Sequence, residues 1–133
     1  MTINPYLSFN GNAEEALHHY QDVLGGELNI MRYEGSPAAV MAPPDWANKV
    51  LHGALTSSAG TLMASDATTD RVKNPGDNFT ISIVTADEAE ADRVFTKLAE
   101  GGQVLMPLAP AFWGAKFGML VDRFKIQWMV NCG

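Results

Sequence analysis

The feature that most constrains this chain is an internal repeat. The segments PYLSFNGNAEEALHHYQDVLGGEL (5–28) and NFTISIVTADEAEADRVFTKLAEGGQV (78–104) each predict a strand, a helix, a Gly-Gly stop and a second strand. Two further apolar-rich segments follow in each half, at 50–57 and 60–66 and at 115–122 and 125–131. Each half therefore predicts a βαβββ module. Together the modules predict an α+β fold with a curved eight-stranded mixed sheet around a cavity.

Both predicted helices carry start and stop signals. The first follows Asn12, with Glu15 three residues later, and the second follows Asp87, with Glu90 at the same spacing, so both starts resemble a capping box. Each helix ends at a Gly-Gly pair, because glycine adopts left-handed backbone conformations without strain. The apolar positions at helical spacing are Ala13, Ala16, Leu17, Tyr20 and Leu24 in the first helix and Ala91, Val94, Phe95 and Leu98 in the second.

Length and charge bound the class of protein. A chain of 133 residues predicts one domain, which we divide into module one (1–67), a polar linker containing Pro-Gly (68–77) and module two (78–133). The net charge is −6, and the nine Lys and Arg residues are scattered. Nucleic acid is therefore not an expected partner, whereas a cationic ligand would suit the charge.

Cysteine usage and the first residues bear on location. The single cysteine, Cys132, excludes a disulfide or a cysteine-based zinc site within one chain. The segment MTINPYLSFNG has no basic region followed by an apolar run, and no stretch approaches membrane-spanning length. We therefore expect a cytoplasmic protein with no membrane partner.

Strand alternation indicates which side chains face the cavity. In the first strand Leu7 and Phe9 should pack under the helix, and Tyr6 and Ser8 should face the other way. The same logic gives a polar lining of Tyr6, Ser8, Asn78, Thr80, Ser82 and Gln127, with Met63, Met129 and Trp113 as walls. A pocket typically combines apolar walls with a few polar groups. The alternative is that these side chains fill the cavity or bond one another.

Four elements carry a resemblance to a known superfamily: PYLSFNGNAEEAL (5–17), LMASDA (62–67), FWGAKFGMLVDRFKIQWMVN (112–131) and the paired Gly-Gly stops. The chain resembles the vicinal oxygen chelate superfamily, which includes glyoxalase I, extradiol dioxygenases and fosfomycin- and bleomycin-resistance proteins. It is most similar to the PhnB-like branch, also labelled a 3-demethylubiquinone methyltransferase domain. The residues give that label no support, since no Gly-rich nucleotide loop follows a first strand and the topology is not doubly wound.

The resemblance implies four positions where metal-dependent relatives carry His or Glu. They fall on Pro5 or Tyr6 in the first strand, Met63 in the fourth, Asn78 or Phe79 in the fifth, and Met129, Gln127 or Trp128 in the last. None of these is a His or a carboxylate, the ligands that suit a divalent ion there. We therefore expect no metal and no other cofactor.

Two residues are candidates for a catalytic base. His52, on the third strand, has an imidazole of the kind that serves in acid–base catalysis, or it is a half-buried strand histidine with a backbone partner. Asp66, at the end of the fourth strand, would lie at the cavity mouth as a base or weak ligand, or it is a turn residue that bonds its own backbone.

Four further positions carry alternatives. Arg32 would clamp an anionic substrate or form a surface ion pair with Glu34 or Glu27. Trp46, in the Pro-rich loop 34–49, would be a lid or a dimer contact. Our remaining expectations are that His18 and His19 are solvated, that Asp122 is a turn residue, and that Trp113 and Trp128 pack.

Three functions remain open. The first is metal-free binding of a small molecule in the cavity. The second is a lyase, isomerase or dioxygenase-type enzyme with a non-standard metal site or none. The third is an oligomerising structural module with a relict cavity. A homodimer is expected in each case, because relatives build their cavities from paired units and open sheet edges favour pairing.

Overall fold

The structure is a computed structural model that describes residues 1–67 and 75–133. The chain divides into two compact units, Met1–Asn74 and Pro75–Gly133. The first unit contains β1 (Tyr6–Phe9), α1 (Ala13–Leu24), β2 (Glu27–Arg32), β3 (Val50–Ser57) and β4 (Gly60–Asp66). The second contains β5 (Ile81–Thr85), α2 (Glu88–Ala99), β6 (Gln103–Pro110), β7 (Lys116–Val121) and β8 (Gln127–Cys132). Of the predicted linker 68–77, residues 68–74 lie outside the described part.

Each unit forms its own four-stranded sheet, and the two sheets repeat one topology. The strand orders are β1-β4-β3-β2 and β5-β8-β7-β6. In each sheet the first and last strands of the unit pair in parallel, and the other neighbours pair antiparallel. The predicted α+β fold of two βαβββ modules is confirmed, with the eight strands hydrogen-bonded as two mixed sheets of four.

Helix α1 covers one face of the first sheet. Its buried residues are Ala13, Ala16, Leu17, His19, Tyr20 and Val23, so Val23 completes the predicted stripe in place of Leu24. Below it Leu7, Ala64, Gly53 and Ile30 form one row across the four strands. A Cβ atom at Gly53 would collide with Leu17, so this glycine lets the helix lie close to β3.

Helix α2 repeats that arrangement in the second unit. Its predicted stripe, Ala91, Val94, Phe95 and Leu98, is buried. Trp128 and Val130 of β8 and Leu120 of β7 are buried with it. A Cβ atom at Gly118 would approach Phe95 to 2.7 Å, so this glycine lets α2 lie close to β7.

The helix starts differ between the units. Asp87 caps α2 as predicted, since its Oδ1 accepts from the backbone N–H groups of Ala89 at 2.9 Å and Glu90 at 3.3 Å. The capping box expected at Asn12 is wrong, because the Asn12 side chain makes no cap hydrogen bond. Asp66, from β4, takes its place and accepts from Ala13 N at 2.9 Å.

The Gly-Gly stops have a second cause besides helix termination. A Cβ atom at Gly26 or Gly102, the second glycine of each pair, would meet a backbone carbonyl of the neighbouring strand, that of Thr56 or Val121. The chain therefore passes so close to the next strand that only glycine fits.

Both helices have 12 residues, and none of the helices in residues 1–67 and 75–133 is long and apolar enough to cross a membrane. The solvated position expected for His19 is wrong, because its side chain is buried beside Tyr20 on the core side of α1. His18 is exposed as expected, and its Nε2 lies 3.6 Å from Glu14.

Candidate functional site

The face of the first sheet turned away from α1, here called the distal face, carries most of the predicted site residues of the first unit. It consists of Tyr6, Ser8, Glu27, Asn29, Met31, His52, Ala54, Thr56, Thr61, Met63 and Ser65, which alternate with the helix-facing residues. Tyr6, Met63, Ala54 and Asn29 form one row across the strands. Ser8 pairs with Ser65, and Met31 with His52, in the adjacent row.

A hydrogen bond between Tyr6 and His52 is the central feature of the distal face. Tyr6 Oη lies 2.9 Å from His52 Nδ1, and the two ring centroids are 5.5 Å apart with the planes tilted by 33°. Tyr6 is on β1 and His52 on β3, so the pair spans β4, whose Met63 is the Cα partner of Tyr6. Tyr6 is 48% exposed, and the hydrogen bond is accessible to solvent.

The sequence placed both residues in the site but did not connect them. They are 46 residues apart, and no local pattern links position 6 to position 52. The parallel pairing of β1 with β4 brings them together, since it leaves β3 only one strand away from β1. The pair could have been predicted only if the strand order had been known.

Asp66 lies in the interior, which corrects its predicted place at a cavity mouth. It is 1% exposed, and three backbone N–H groups donate to its carboxylate: Gly11 and Ala13 to Oδ1 and Val50 to Oδ2, each at 2.9 Å. The alternative, a turn residue that bonds its own backbone, is also wrong, since the donors lie 16 to 55 residues away. Asp66 ties the start of α1 and the start of β3 to the end of β4.

Tyr33 adds a further hydrogen bond to the contacts around Asp66. Its hydroxyl donates to the backbone carbonyl of Asp66 at 2.7 Å, and its ring meets Trp46 edge-on with centroids 5.9 Å apart. Burial raises the pKa of the Tyr33 phenol, and the nearby Asp66 carboxylate adds to the shift. The loop 34–49, which contains the 3₁₀ helices Pro37–Met41 and Pro44–Trp46, is fastened at both ends through Tyr33 N to Lys49 O and Glu34 N to Ala47 O.

Arg32 forms an ion pair with a partner that was not predicted. Its guanidinium donates to both carboxylate oxygens of Glu14, at 2.9 and 2.8 Å, and to the carbonyl of Asn48 at 2.8 Å. The hydrogen bonds and charge of Arg32 lower the pKa of Glu14. Because Arg32 points to the α1 side of the sheet, it is not part of the distal face, and the predicted pairs with Glu34 or Glu27 are replaced by Glu14.

In the second unit, some of the predicted site residues lie outside the strands. Strand β5 begins at Ile81, so Asn78 and Thr80 precede the strand instead of lining its face. Ser82 is the Cα partner of Met129, and Gln127 donates through Nε2 to the Gly76 carbonyl at 3.4 Å. These residues form no hydrogen-bonded pair of side chains comparable to Tyr6–His52 among residues 75–133.

The two tryptophans of this unit have opposite environments. Trp128 packs as predicted, at 1% exposure, and its indole N–H donates to Asp122 Oδ2 at 2.8 Å. The prediction that Trp113 packs is wrong, because it is 52% exposed in the turn between β6 and β7. Its ring meets those of Phe112 and Phe117 edge-on, with centroids 4.9 and 5.4 Å apart. Asp122 is a turn residue as predicted and also buried.

The four positions implied for a metal do not fit a divalent ion. The register places Tyr6 beside Met63 in the first sheet. The expected fifth-strand positions, Asn78 and Phe79, precede β5, and Ser82 is the residue that lies beside Met129 in the second sheet. A phenol, a hydroxyl and two thioethers are poor ligands for the metals that His and carboxylate sites hold. Residues 1–67 and 75–133 also contain no group of three His, Cys, Asp or Glu residues that could hold a metal ion.

Comparison with known proteins defines the class first. An enzyme of the glyoxalase/bleomycin resistance/dioxygenase family from Burkholderia phytofirmans superposes with a TM-score of 0.62, covering 98% of this chain and 94% of that chain, at 12% identity, which shows a shared fold alone. With its two βαβββ modules, this protein has the glyoxalase/bleomycin resistance/dioxygenase fold. The fold predicted from the sequence is therefore confirmed.

The particular family follows from closer matches. The model of the family described as 3-demethylubiquinone-9 3-methyltransferase matches residues 1–131, so the chain belongs to that family, the PhnB-like branch. The protein PA1353 from Pseudomonas aeruginosa is 44% identical, with a TM-score of 0.88 and coverage of 99% of this chain and 97% of that one.

Two further relatives are also similar to this chain over nearly its whole length. Protein YjdN of Escherichia coli strain K12 is 32% identical, and the match covers 98% of this chain and 95% of YjdN. A PhnB protein from Bacillus cereus is 28% identical, with a TM-score of 0.81 and full coverage of both chains. The likeness therefore extends over the whole chain and both modules.

Proposed function

We propose that this protein binds a small, uncharged or cationic molecule on the distal face of its first sheet, without a metal ion. The observation that carries the proposal is the solvent-accessible Tyr6–His52 hydrogen bond beside Met63. It combines the Tyr6 ring and its hydroxyl, the His52 imidazole and the Met63 thioether within one small area. Ligand sites typically combine apolar contact with a few polar groups in this way.

The charge of the distal face supports an uncharged or cationic ligand. None of its strand residues is Lys or Arg, and Glu27 is its one carboxylate. Arg32 directly follows Met31 of the distal face, but it forms its bidentate ion pair with Glu14 on the other side of the sheet. An anionic ligand would therefore lose its hydration without gaining a cationic partner, which costs several kcal/mol or more by general transfer arguments.

Three probes of one shape test this proposal: benzamide (uncharged), benzylamine (cationic) and benzoate (anionic). We expect benzamide or benzylamine to bind and to shift the amide signals of β1, β3 and β4 in ¹H–¹⁵N NMR spectra. Tyr6→Phe keeps the ring and removes the hydroxyl, so it should weaken benzamide binding by about tenfold, the value of one hydrogen bond. His18→Gln, an exposed histidine on α1, is the matched control.

Preferential binding of benzoate would contradict the proposed ligand charge, and shifts confined to other strands would contradict the proposed site. Elemental analysis of protein purified without a histidine tag tests the metal-free part, since stoichiometric zinc, nickel, manganese or iron would contradict it. The expected homodimer remains a prediction, which light scattering of the purified protein can check.

A further inference from the structure

We propose that the Tyr6–His52 pair selects an elongated, uncharged ligand that carries a hydrogen-bond donor at one end and an acceptor at the other. The inference rests on the proposed binding function and names its ligand class. Apart from the 2.9 Å contact between Tyr6 Oη and His52 Nδ1, neither side chain makes a hydrogen bond within residues 1–67 and 75–133. His52 Nε2 is also not among the buried atoms without a partner in that part of the chain. Oη and Nε2 are therefore both open to a ligand.

The number of polar hydrogens fixes the character of these two open positions. A neutral tyrosine and a neutral histidine together carry two such hydrogens, and one of them lies in the hydrogen bond between the rings. If the Tyr6 hydroxyl donates to Nδ1, the second hydrogen is on Nε2, which donates outward while Oη accepts. If Nδ1–H donates to Oη, the Tyr6 hydroxyl donates outward and Nε2 accepts. In either arrangement the pair offers a ligand one donor and one acceptor.

Exchange with water converts one arrangement into the other before a ligand binds. The hydrogen between the rings moves from Oη to Nδ1, Nε2 releases its proton to water, and Oη takes a proton from water, so no net charge forms. The pair can therefore bind a mixed ligand in either direction. A ligand with two acceptors presents one of them to the acceptor of the pair, and a ligand with two donors presents one to the donor. One hydrogen bond is then lost, which costs about tenfold in affinity.

The two ring nitrogens of His52 point in nearly opposite directions, and this sets the length of the ligand. Because Nδ1 faces the Tyr6 hydroxyl, Nε2 faces away from it. Oη and Nε2 are about 5 Å apart, which is the 2.9 Å contact plus the width of the imidazole, so ligand groups bonded to both lie about 5–8 Å apart. A single carbonyl or amide group cannot span this distance, whereas the two ends of a para-substituted benzene can.

The charged groups of the distal face lie away from the pair. Among its strand residues, Glu27 is the ionisable one besides Tyr6 and His52. Glu27 lies opposite Thr56, whereas Met31, four residues further along β2, lies opposite His52. At about 3.3 Å per residue, the positions of Glu27 and Met31 are about 13 Å apart. No carboxylate of these strands is therefore beside the pair, and its hydrogen count is that of tyrosine and histidine alone.

Three para-substituted benzenes of similar size test the inference: 4-aminoacetophenone (a donor and an acceptor), 1,4-diacetylbenzene (two acceptors) and 1,4-phenylenediamine (two donors). All three are uncharged at pH 8.5, where imidazoles are neutral as well. We expect 4-aminoacetophenone to bind the unaltered protein about tenfold or more tightly than either of the other two. Shifts of the amide signals of β1, β3 and β4 in ¹H–¹⁵N NMR titrations measure the affinities. Equal affinities for the three compounds would contradict the inference.

Tyr6→Phe breaks the link between the two open positions. Without the hydroxyl, either ring nitrogen of His52 can carry the hydrogen independently of a second group, so the preference for 4-aminoacetophenone should fall to about twofold or less. His18→Gln is the control and should keep the full preference. Urea unfolding shows whether each variant retains the fold, and the comparison of the three compounds in the unaltered protein does not depend on it. A folded Tyr6→Phe variant with an unchanged preference overturns the inference.

Benzamide separates failure of this inference from failure of the binding function. Its amide group is too short to span the pair, so one of the two open positions suffices to bind it. If benzamide binds to β1, β3 and β4 but the three para-substituted compounds bind equally, or none of them binds, the inference is wrong and the proposed binding function stands. If benzamide, benzylamine and the three compounds all fail to bind, both proposals are wrong.

Discussion

Two buried aspartates, one in each unit, solve different structural problems with the same side chain. Asp66 and Asp122 are each 1% exposed, and three N–H groups of residues 1–67 and 75–133 are seen donating to each carboxylate. Asp66 receives them from backbone groups up to 55 residues away, whereas Asp122 receives them within six residues along the chain. Asp66 therefore holds distant segments together. Asp122 accepts hydrogen bonds from the β7–β8 turn and from the Trp128 indole in β8.

Two equally buried residues can therefore differ in how readily the sequence predicts their contacts. The contacts of Asp122 to Phe124 N and Ile126 N follow the short spacing of a turn, which can be recognised locally. The contacts of Asp66 exist only after β1, β3 and β4 have assembled. We expect the two residues to respond differently to substitution.

The largest effect is expected for Asp66→Ala. It leaves the N–H groups of Gly11, Ala13 and Val50 buried without their acceptor and removes the cap of α1, so unfolding free energy should fall by about 3–5 kcal/mol. Equilibrium urea unfolding followed by circular dichroism measures it. Asp87→Ala removes the exposed cap of α2 and should cost only about 1 kcal/mol. Equal losses for the two variants would show that the long-range contacts of Asp66 add nothing beyond a helix cap.

A double-mutant cycle sharpens the description of Asp122. Asp122→Asn can place an amide N–H₂ group against the indole N–H of Trp128, so we expect a loss of about 2–3 kcal/mol in unfolding free energy. In a Trp128→Phe background that conflict is absent, and Asp122→Asn should cost at least about 0.5–1 kcal/mol less. Strict additivity in the measured unfolding free energies would mean that the Asp122–Trp128 hydrogen bond does not stabilise the hairpin.

The two glycines beneath the helices provide a third comparison. Gly53→Ala places a Cβ atom against Leu17 of α1, and Gly118→Ala places one against Phe95 of α2 and against the backbone of Leu108 in β6. We expect each to lower unfolding free energy by about 1–2 kcal/mol through overpacking. Gly76→Ala is the control, because its nearest neighbour to an added Cβ is the side chain of Asn78 at 3.4 Å. A variant at Gly53 or Gly118 as stable as the control would contradict the close helix–strand approach in that unit.

The smallest effect concerns the Glu14–Arg32 ion pair and depends on pH. Arg32 lowers the pKa of Glu14 from its ordinary value of 4.5, so the pair stabilises the folded state above that value and loses the contribution as pH falls through the lowered pKa. The side chains are 41% and 37% exposed, so Glu14→Gln should cost less than about 1 kcal/mol at pH 7. The stability difference should vanish below the lowered pKa. A difference that persists in urea unfolding at pH 2–3, or one that grows as pH falls, would contradict this origin.

Much of the fold could be predicted because its signals are local. The helical spacing of Ala91, Val94, Phe95 and Leu98, the cap at Asp87 and the Gly-Gly stops all lie within one module and act over a few residues. The repeat then required both halves to have one topology. The errors occurred where local signals were ambiguous, as at Asn12, which has the residue type of a cap but whose side chain makes no cap hydrogen bond.

The candidate site could be predicted only in part. The sequence predicted that Tyr6 and Ser8 face away from the helix and that His52 and Met63 lie on the third and fourth strands, as the structure has them. The Tyr6–His52 hydrogen bond, however, depends on strand order and register. In the second unit the strand began three residues later than expected, at Ile81, so Asn78 and Thr80 fell outside it. A strand boundary depends on which backbone groups find partners, which residue type does not reveal.

The sequence alone was enough to predict the two βαβββ modules, the family resemblance and the lack of His or carboxylate at the four implied metal positions, because these depend on pattern and chemical identity. The three-dimensional structure was needed to show that the buried Asp66 carboxylate joins three segments, that Arg32 pairs with Glu14 and that Tyr6 hydrogen-bonds to His52. The physical reason is that hydrogen bonds and ion pairs act over about 3 Å, a distance that chain segments far apart in sequence reach only when the sheet has formed.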